Sequence, residues 1–353
     1  MRSYDVTVFD GPLQLAERPT PTPQGEEVLV KITAAGVCHS DIHICEGFYD
    51  LGGGKKLNMG DRGVKLPLTM GHEIAGEIVS GGPDAGPVKA GQRVVVYPWI
   101  GCGKCPTCAR GDENLCLQSR FLGIFRGGGY ATHVLVPQKR YCLDIGDMDA
   151  SLAAPYACSG LTTYSALNKI GAKTLQAEPI VVIGAGGLGL MCLTLMQAMG
   201  AKGAIVVDID QAKRAAAMQA GALAAIDPTA ADAVAQIKAL TPGGVGAVAV
   251  IDLVGAGKTV QLGLDVMARG GRVIVVGLMG GDVTIPTPTI PQRAMTLQGS
   301  YVGNLEELKE LMALVATGKV PAVPLIERPL DQADASLNDL RAGKVVGRII
   351  LKP

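Results

Sequence analysis

Hydrophobic positions along the chain follow two different rules. Up to about residue 155 they come in short runs separated by Gly- and Pro-rich turn signals, which predict strands at Glu27–Ile32, Glu73–Ser80, Gln92–Tyr97 and Tyr130–Val136. This part reads as mostly β. After Tyr156 the rule changes. PIVVIGAGG is a continuous apolar run ending in glycines, and LGLMCLTLMQAM follows with helical spacing. AIVVDID, AAID, AVAVIDLVG and RVIVVGL then alternate with predicted helices at Gln211–Ala220, near Ala230–Leu240 and near Lys258–Met267. Unbroken Val/Ile strands between helices predict a doubly wound parallel sheet, covered on both faces. A last helix is expected at Leu305–Ala316. VVGRIILKP reads as a closing strand that returns to the first domain. The fold class is α/β, with two domains suiting a chain of 353 residues.

Composition narrows the function classes. The chain is 48% hydrophobic and 18% charged, a globular balance, and its formal net charge of +0 points to neither nucleic acid nor an anionic membrane as partner. The apolar run Ile180–Leu195 is broken by glycines and fits a strand, turn and helix better than a membrane span. MRSYDVTVFDG lacks the basic-then-apolar pattern of a secretory leader. Nine cysteines in that context indicate metal ligands or buried thiols, not a disulfide framework, and a cytoplasmic protein is expected.

Three stretches carry candidate chemistry. Gly184, Gly186 and Gly189 form G-x-G-x-x-G between a strand and a helix, and Asp208 ends the next strand. Glycines let backbone approach a pyrophosphate, whose charge the helix N-terminus favours. Asp208 would accept from ribose hydroxyls and repel a 2′-phosphate, favouring NAD over NADP. Cys102, Cys105, Cys108 and Cys116 are spaced to wrap one tetrahedral ion, and four sulfurs without an open position suit structural Zn²⁺. An iron–sulfur cluster is the chemical rival. GVCHSDIH holds two of the four histidines, and Cys38 there, His72 in GHE and Cys158 in CSGL would make a three-ligand site with a fourth position open. Spacing alone does not bring these three together.

On GVCHSDIH, GHE, the four-cysteine loop, CSGLTTY, GAGGLG with Asp208, and the closing GR, the chain resembles the zinc-dependent medium-chain alcohol dehydrogenases along nearly its whole length. That resemblance implies a GroES-like catalytic domain over residues 1–157 and 301–353, and an NAD-binding Rossmann domain over 158–300. It implies that Cys38, His72 and Cys158 hold a catalytic zinc, with Glu73 as an acidic neighbour able to approach the metal. Asp41 would orient His72. Ser40 and His43 would move the alcohol proton toward solvent, which zinc makes acidic enough to leave. His39, Gly187, Leu188, Lys213 and Arg348 would contact the cofactor's phosphates and adenosine. Thr162, Val276, Ser300 and Val302 would line its nicotinamide. The implied cofactors are NAD and two zinc ions, with a small alcohol, aldehyde or ketone as substrate. A homotetramer or homodimer is implied, pairing through Ala294–Val302.

Two features set the chain apart. Cys38 and His72 are separated by an extended segment, FYDLGGGKKLNMGDRGVKL, carrying Lys55, Lys56, Arg62 and Lys65 against Asp50 and Asp61. It reads as a lid, a basic rim for an acidic substrate, or a solvated loop. Aromatic residues are only 4% of the chain, yet Phe48, Tyr49, Trp99, Phe121 and Phe125 gather around the metal motifs. Phe48, Tyr49 and Trp99 are expected to line a pocket for a bulky or aromatic alcohol. A polyol dehydrogenase and a non-catalytic NAD sensor are the alternatives. Cys158 speaks against the first, a branch in which an acidic residue often takes the third metal position, and the full ligand set against the second.

Overall fold

A computed structural model describes residues 1–353. The first part contributes β1 (Arg2–Val6), β2 (Gln14–Glu17), β3 (Val28–Val37), β4 (Phe48–Asp50), β5 (Lys56–Asn58), β6 (Leu68–Thr69), β7 (Glu73–Gly81), β8 (Arg93–Val96), β9 (His133–Val136) and β10 (Cys142–Asp144). β3 is the hub, ten residues long and buried along almost all its length. β7 pairs along it antiparallel from Val28↔Gly81 to Gly36↔Glu73, and β9 also pairs with it. The expected strands are present, but the first runs on past Ile32 to Val37 and the last begins at His133, not at Tyr130. The N-terminal sheet β2-β1-β6 was not predicted.

The second part builds β11 (Ile180–Ile183), β12 (Ala204–Val207), β13 (Ala224–Ile226), β14 (Ala247–Asp252), β15 (Met267–Val275) and β16 (Thr296–Gly299). Their order is β13-β12-β11-β14-β15-β16 and every pair is parallel. Order reverses between β11 and β14, the switch point where ligands of such sheets bind at the strands' carboxyl ends. β11 and β12 are buried at every residue, as their unbroken Val/Ile runs require. Helices at Gln211–Gln219, Ala233–Ala239, Gly257–Val266 and Leu305–Ala316 lie close to the predicted ranges.

β17 (Leu325–Pro329) and β18 (Arg348–Lys352) close the chain. β18 pairs antiparallel with β3 at Ile349↔Val37, so the last strand lies beside GVCHSDIH. One cluster of 76 buried side chains runs from β3 through the 159–170 and 187–198 helices to the C-terminus. It joins the two sheets through a shared apolar interior.

Candidate metal and cofactor site

β3 ends at Val37, and a helix over His39–Glu46 begins at once, with Cys38 as its N-cap. Asp41, at the third helical position, accepts from the Cys38 N–H at 2.9 Å, so it caps this helix. It does more than cap. Its carboxylate is fully buried, accepts the Tyr130 hydroxyl at 2.9 Å and lies 3.1 Å from His72 Nδ1. Tyr130 was not singled out from the sequence. A tyrosine directly after three glycines carries no signal of a partner 89 positions away.

Cys38 Sγ, Cys158 Sγ and a His72 ring nitrogen lie within 4.8 Å of one another, all buried. The two sulfurs are 3.9 Å apart. A tetrahedral zinc with Zn–S near 2.3 Å sets its sulfurs about 3.8 Å apart. His72 Nε2 is buried with no hydrogen-bond partner, while Nδ1 faces Asp41. An imidazole held on one nitrogen and open on the other is the geometry of a metal ligand. The electrostatics agree. The hydrogen bond from Cys158 holds the Cys38 thiol well below its ordinary value, and the same contact holds Cys158 up, so the pair shares one proton. Burial works against charge on His72, but Asp41 and Cys38 overcome it and raise its pKa. This cluster favours a bound cation.

Glu73 does not join the three ligands. It ion-pairs with buried Arg348, and its Oε1 accepts the Ser159 N–H at 3.1 Å. Burial lifts its pKa to about 6 against the pull of Arg348. A carboxylate buried this deeply is better satisfied by a guanidinium than beside two thiolates. Gly36 leaves the room, because a Cβ there would sit 2.0 Å from Glu73 Oε2.

Arg348, expected at a cofactor phosphate, is thus the partner of Glu73. Its side chain also packs on Gly187, where a Cβ would meet Arg348 Cδ at 2.6 Å, and its buried Nε has no protein partner. The 187–198 helix begins there, capped by Gly186 with no side-chain hydrogen bond. Gly189 lets this helix approach the strand end, since a Cβ would lie 2.2 Å from Gly184 O. Leu188 is half-buried on the first turn. Asp208 reaches the same loop, accepting from Ala185 N at 2.7 Å and Asp210 N at 2.8 Å. Lys213 is half-buried on the first turn of the following helix. Thr162, one turn after Cys158, and Ser300 both bury hydroxyls without partners. Val276 and Val302 are each 8% exposed nearby in the chain. Val302 has φ 44°, uncommon for a β-branched residue. Unpartnered buried donors beside an uncapped helix end fit a dinucleotide.

The expected proton path starts on the 39–46 helix. Ser40 is half-buried on its first turn and His39 is exposed there. The His43 ring stands 5.5 Å from His39 and 4.9 Å from Tyr49. Burial lowers the His43 pKa, and the His39 charge adds to this, so the ring is neutral at neutral pH.

The aromatic residues form a wall. Trp99 lies 5.1 Å from His72, 5.4 Å from Phe121 and 6.4 Å from Tyr301. Its indole N–H donates to Ala157 O at 3.0 Å, which fixes the ring. Phe48 lies outward on β4, covered by Lys56 Nζ at 3.6 Å. Tyr301 was missed in the sequence because it follows the last strand of the parallel sheet, far from every metal motif.

Cys102, Cys105, Cys108 and Cys116 also converge within 4.8 Å. Their sulfur separations of 3.5, 3.8 and 4.0 Å bracket the tetrahedral value. Gly101 is required here, since a Cβ would meet Cys108 Sγ at 2.5 Å. Buried Glu113 braces the lobe, accepting from Gly101 N at 3.2 Å and Tyr141 Oη at 2.6 Å and pairing with Arg140 at 2.8 Å.

A three-ligand metal cluster beside a glycine-looped parallel sheet defines a metal-dependent dehydrogenase. Residues 24–147 match the alcohol dehydrogenase GroES-like domain and residues 187–317 the zinc-binding dehydrogenase domain. An NAD-dependent alcohol dehydrogenase of Sulfurisphaera tokodaii is 40% identical over 354 residues, spanning 100% of both chains. The alcohol dehydrogenase of the hyperthermophilic archaeon Aeropyrum pernix superposes with a TM-score of 0.90 at 30% identity, again over 100% of both. Acetophenone reductase from Geotrichum candidum, solved with NAD, gives 0.84 at 27% identity over 100% of this chain and 97% of that one. The chain belongs to the zinc-dependent medium-chain alcohol dehydrogenase family, and it is an alcohol oxidoreductase that binds zinc.

Proposed function

We propose that this protein reversibly oxidises primary or secondary alcohols to aldehydes or ketones, with NAD⁺ as hydride acceptor. The observation that carries the reading is the continuous link from metal cluster to nucleotide loop: His72 adjoins Glu73, Glu73 pairs with Arg348, and Arg348 packs on Gly187. Cys38, His72 and Cys158 hold the catalytic zinc, and Cys102, Cys105, Cys108 and Cys116 a structural one. When bound, zinc supplies the Lewis acidity that makes an alcohol hydroxyl acidic, and NAD⁺ accepts the hydride. Asp41 orients His72. Ser40 takes the substrate proton, and neutral His43 passes it toward solvent. Asp208, Lys213, His39, Gly184, Gly186, Gly187, Leu188, Gly189 and Arg348 bind the adenosine and pyrophosphate. Thr162, Val276, Ser300 and Val302 seat the nicotinamide.

The catalytic domain comprises 1–157 and 301–353 and the nucleotide domain 158–300. Tyr49 and Trp99, with Phe48 at the edge, shape a pocket for bulky or aromatic alcohols. The exposed edge strand β16 is suited to pairing in a homodimer or homotetramer. No helix is long and apolar enough to cross a membrane. None of the nine cysteines is in a disulfide, which suits the cytoplasm.

The test is the initial rate of NAD⁺ reduction on short primary, short secondary, benzylic and polyol alcohols, before and after removing and restoring Zn²⁺. Zinc-dependent turnover is expected, strongest on benzylic or long-chain alcohols. No turnover on any alcohol by zinc-replete protein would refute the reading. A Trp99→Ala variant with an unchanged benzylic-to-short ratio would refute the aromatic pocket.

A further inference from the structure

The segment between Cys38 and His72 folds as a hairpin, β4 paired with β5 from Phe48↔Asn58 to Asp50↔Lys56, followed by a turn carrying Arg62. The Arg62 guanidinium lies 5.9 Å from the Tyr49 ring centroid and 6.0 Å from that of Phe125. It also acts on Tyr301, opposing the rise in that hydroxyl's pKa that burial causes. Tyr49 lies against His43, and Tyr301 faces Trp99, which lies against His72. Arg62 thus stands over the aromatic wall that leads to the metal ligands.

Its charge has no acidic partner. Arg62, Lys55, Lys56 and Lys65 form no ion pair with any carboxylate. The two acids of the segment are occupied locally. Asp50 Oδ1 accepts from Gly52 N at 2.8 Å, and Asp61 Oδ2 accepts from Asn58 Nδ2 at 3.0 Å. Arg62 also reaches the Met59 sulfur at 4.0 Å and the Tyr301 hydroxyl. A guanidinium has five N–H donors, so neutral contacts with a sulfur and a phenol leave others to fork onto a carboxylate.

Building on the alcohol dehydrogenase reading, we infer that the pocket selects hydroxy acids and their aldehyde or keto forms, with Arg62 binding the carboxylate at the end of the substrate remote from the carbinol. The carbinol C–H leaves as hydride to NAD⁺ and the hydroxyl proton leaves to solvent. The carboxylate is unchanged throughout. Tyr49 and Tyr301 hold the connecting chain or ring, and Lys56 raises the local positive potential at the rim.

The test compares 4-(hydroxymethyl)benzoate with 4-(hydroxymethyl)benzamide, and ω-hydroxycarboxylates of graded length with their amides. In the unaltered enzyme kcat/KM is expected to favour the acid. Arg62→Gln should cut the acid-to-amide ratio about tenfold, and Arg62→Lys should keep much of it. The amide reports the integrity of the rest of the site in each variant. Dissociation constants of the same pairs in the NADH complex, read from the fluorescence of Trp99, the only tryptophan, give a second measure. Equal handling of acid and amide, or a preference that survives Arg62→Gln, would overturn the inference and leave the dehydrogenase standing. If neither alcohol is oxidised, the dehydrogenase reading fails, and the binding ratio alone decides for or against Arg62.

Discussion

Asp41 shows why a short motif carries so much. One carboxylate caps the helix that starts at the metal ligand, takes a tyrosine hydroxyl and faces a histidine nitrogen. Asn in its place keeps the shape but lacks the charge that fixes the His72 tautomer. Asp41→Asn is expected to weaken zinc binding about ten- to a hundredfold, read by competition with a chromogenic chelator. An unchanged affinity would reduce Asp41 to a helix cap. His43 makes a separate prediction. Its lowered pKa keeps the ring neutral and able to accept a proton, so its acid limb in alcohol oxidation falls below the ordinary 6.5. His39→Ala removes a charge that lowers this pKa, and that limb should move to higher pH. His43→Gln should slow oxidation by about tenfold to a hundredfold, at the low end for general acid–base catalysis because solvent reaches the half-buried ring. A pH–rate profile that ignores both changes would remove His43 from the proton path.

At the scale of elements, the four-cysteine lobe is a staple whose brace, Glu113, lies between Cys108 and Cys116 without being one of the four ligands. Glu113→Ala strips partners from Gly101 N and Tyr141 Oη, and about 2 kcal/mol of stability should go with them. The lobe should then lose its metal faster to chelator, while the Cys38 site keeps its own. A melting curve and metal-release rate equal to those of the unaltered protein would contradict this role. Legibility follows the same divide. Unbroken Val/Ile runs identified the parallel sheet because strands buried on both faces tolerate little else. The cysteine spacing identified the lobe because one ion fixes four ligands. Glu113 was invisible, since its side-chain partners Arg140 and Tyr141 belong to another segment and leave no periodic trace. Glu73 and Arg348 were legible as site residues, but not as each other's partner, because only the β18–β3 pairing brings the chain's end to GVCHSDIH. The β4–β5 hairpin was legible only as a loop, since its strands are three residues long and flank a run of glycines.

Across the whole molecule, that hairpin is one place where the backbone of the N-terminal part comes close to that of the parallel-sheet part. Its tip meets the loop that follows β15. A Cβ on Gly280 would lie 2.5 Å from Asp50 O, and one on Gly52 would lie 2.8 Å from Gly281 C. Both glycines also hold positive φ, 102° and 79°. The loop begins at Val276, proposed to seat the nicotinamide, and the hairpin leads into Arg62 and the aromatic wall. A shift at this contact should therefore reach cofactor and substrate together. Gly280→Ala adds a methyl against the Asp50 carbonyl and strains its own backbone, at a cost of about 1–3 kcal/mol. The hairpin should relieve it by lifting away, because its two short strands bury little. KM for alcohol and for NAD⁺ should rise together by several-fold, and amide exchange over residues 48–66 should quicken, while both metal clusters keep their zinc. A rise in KM for one ligand alone, with exchange over the hairpin unaltered, would mean that the two parts are coupled through Arg348 and Glu73 and not through this contact.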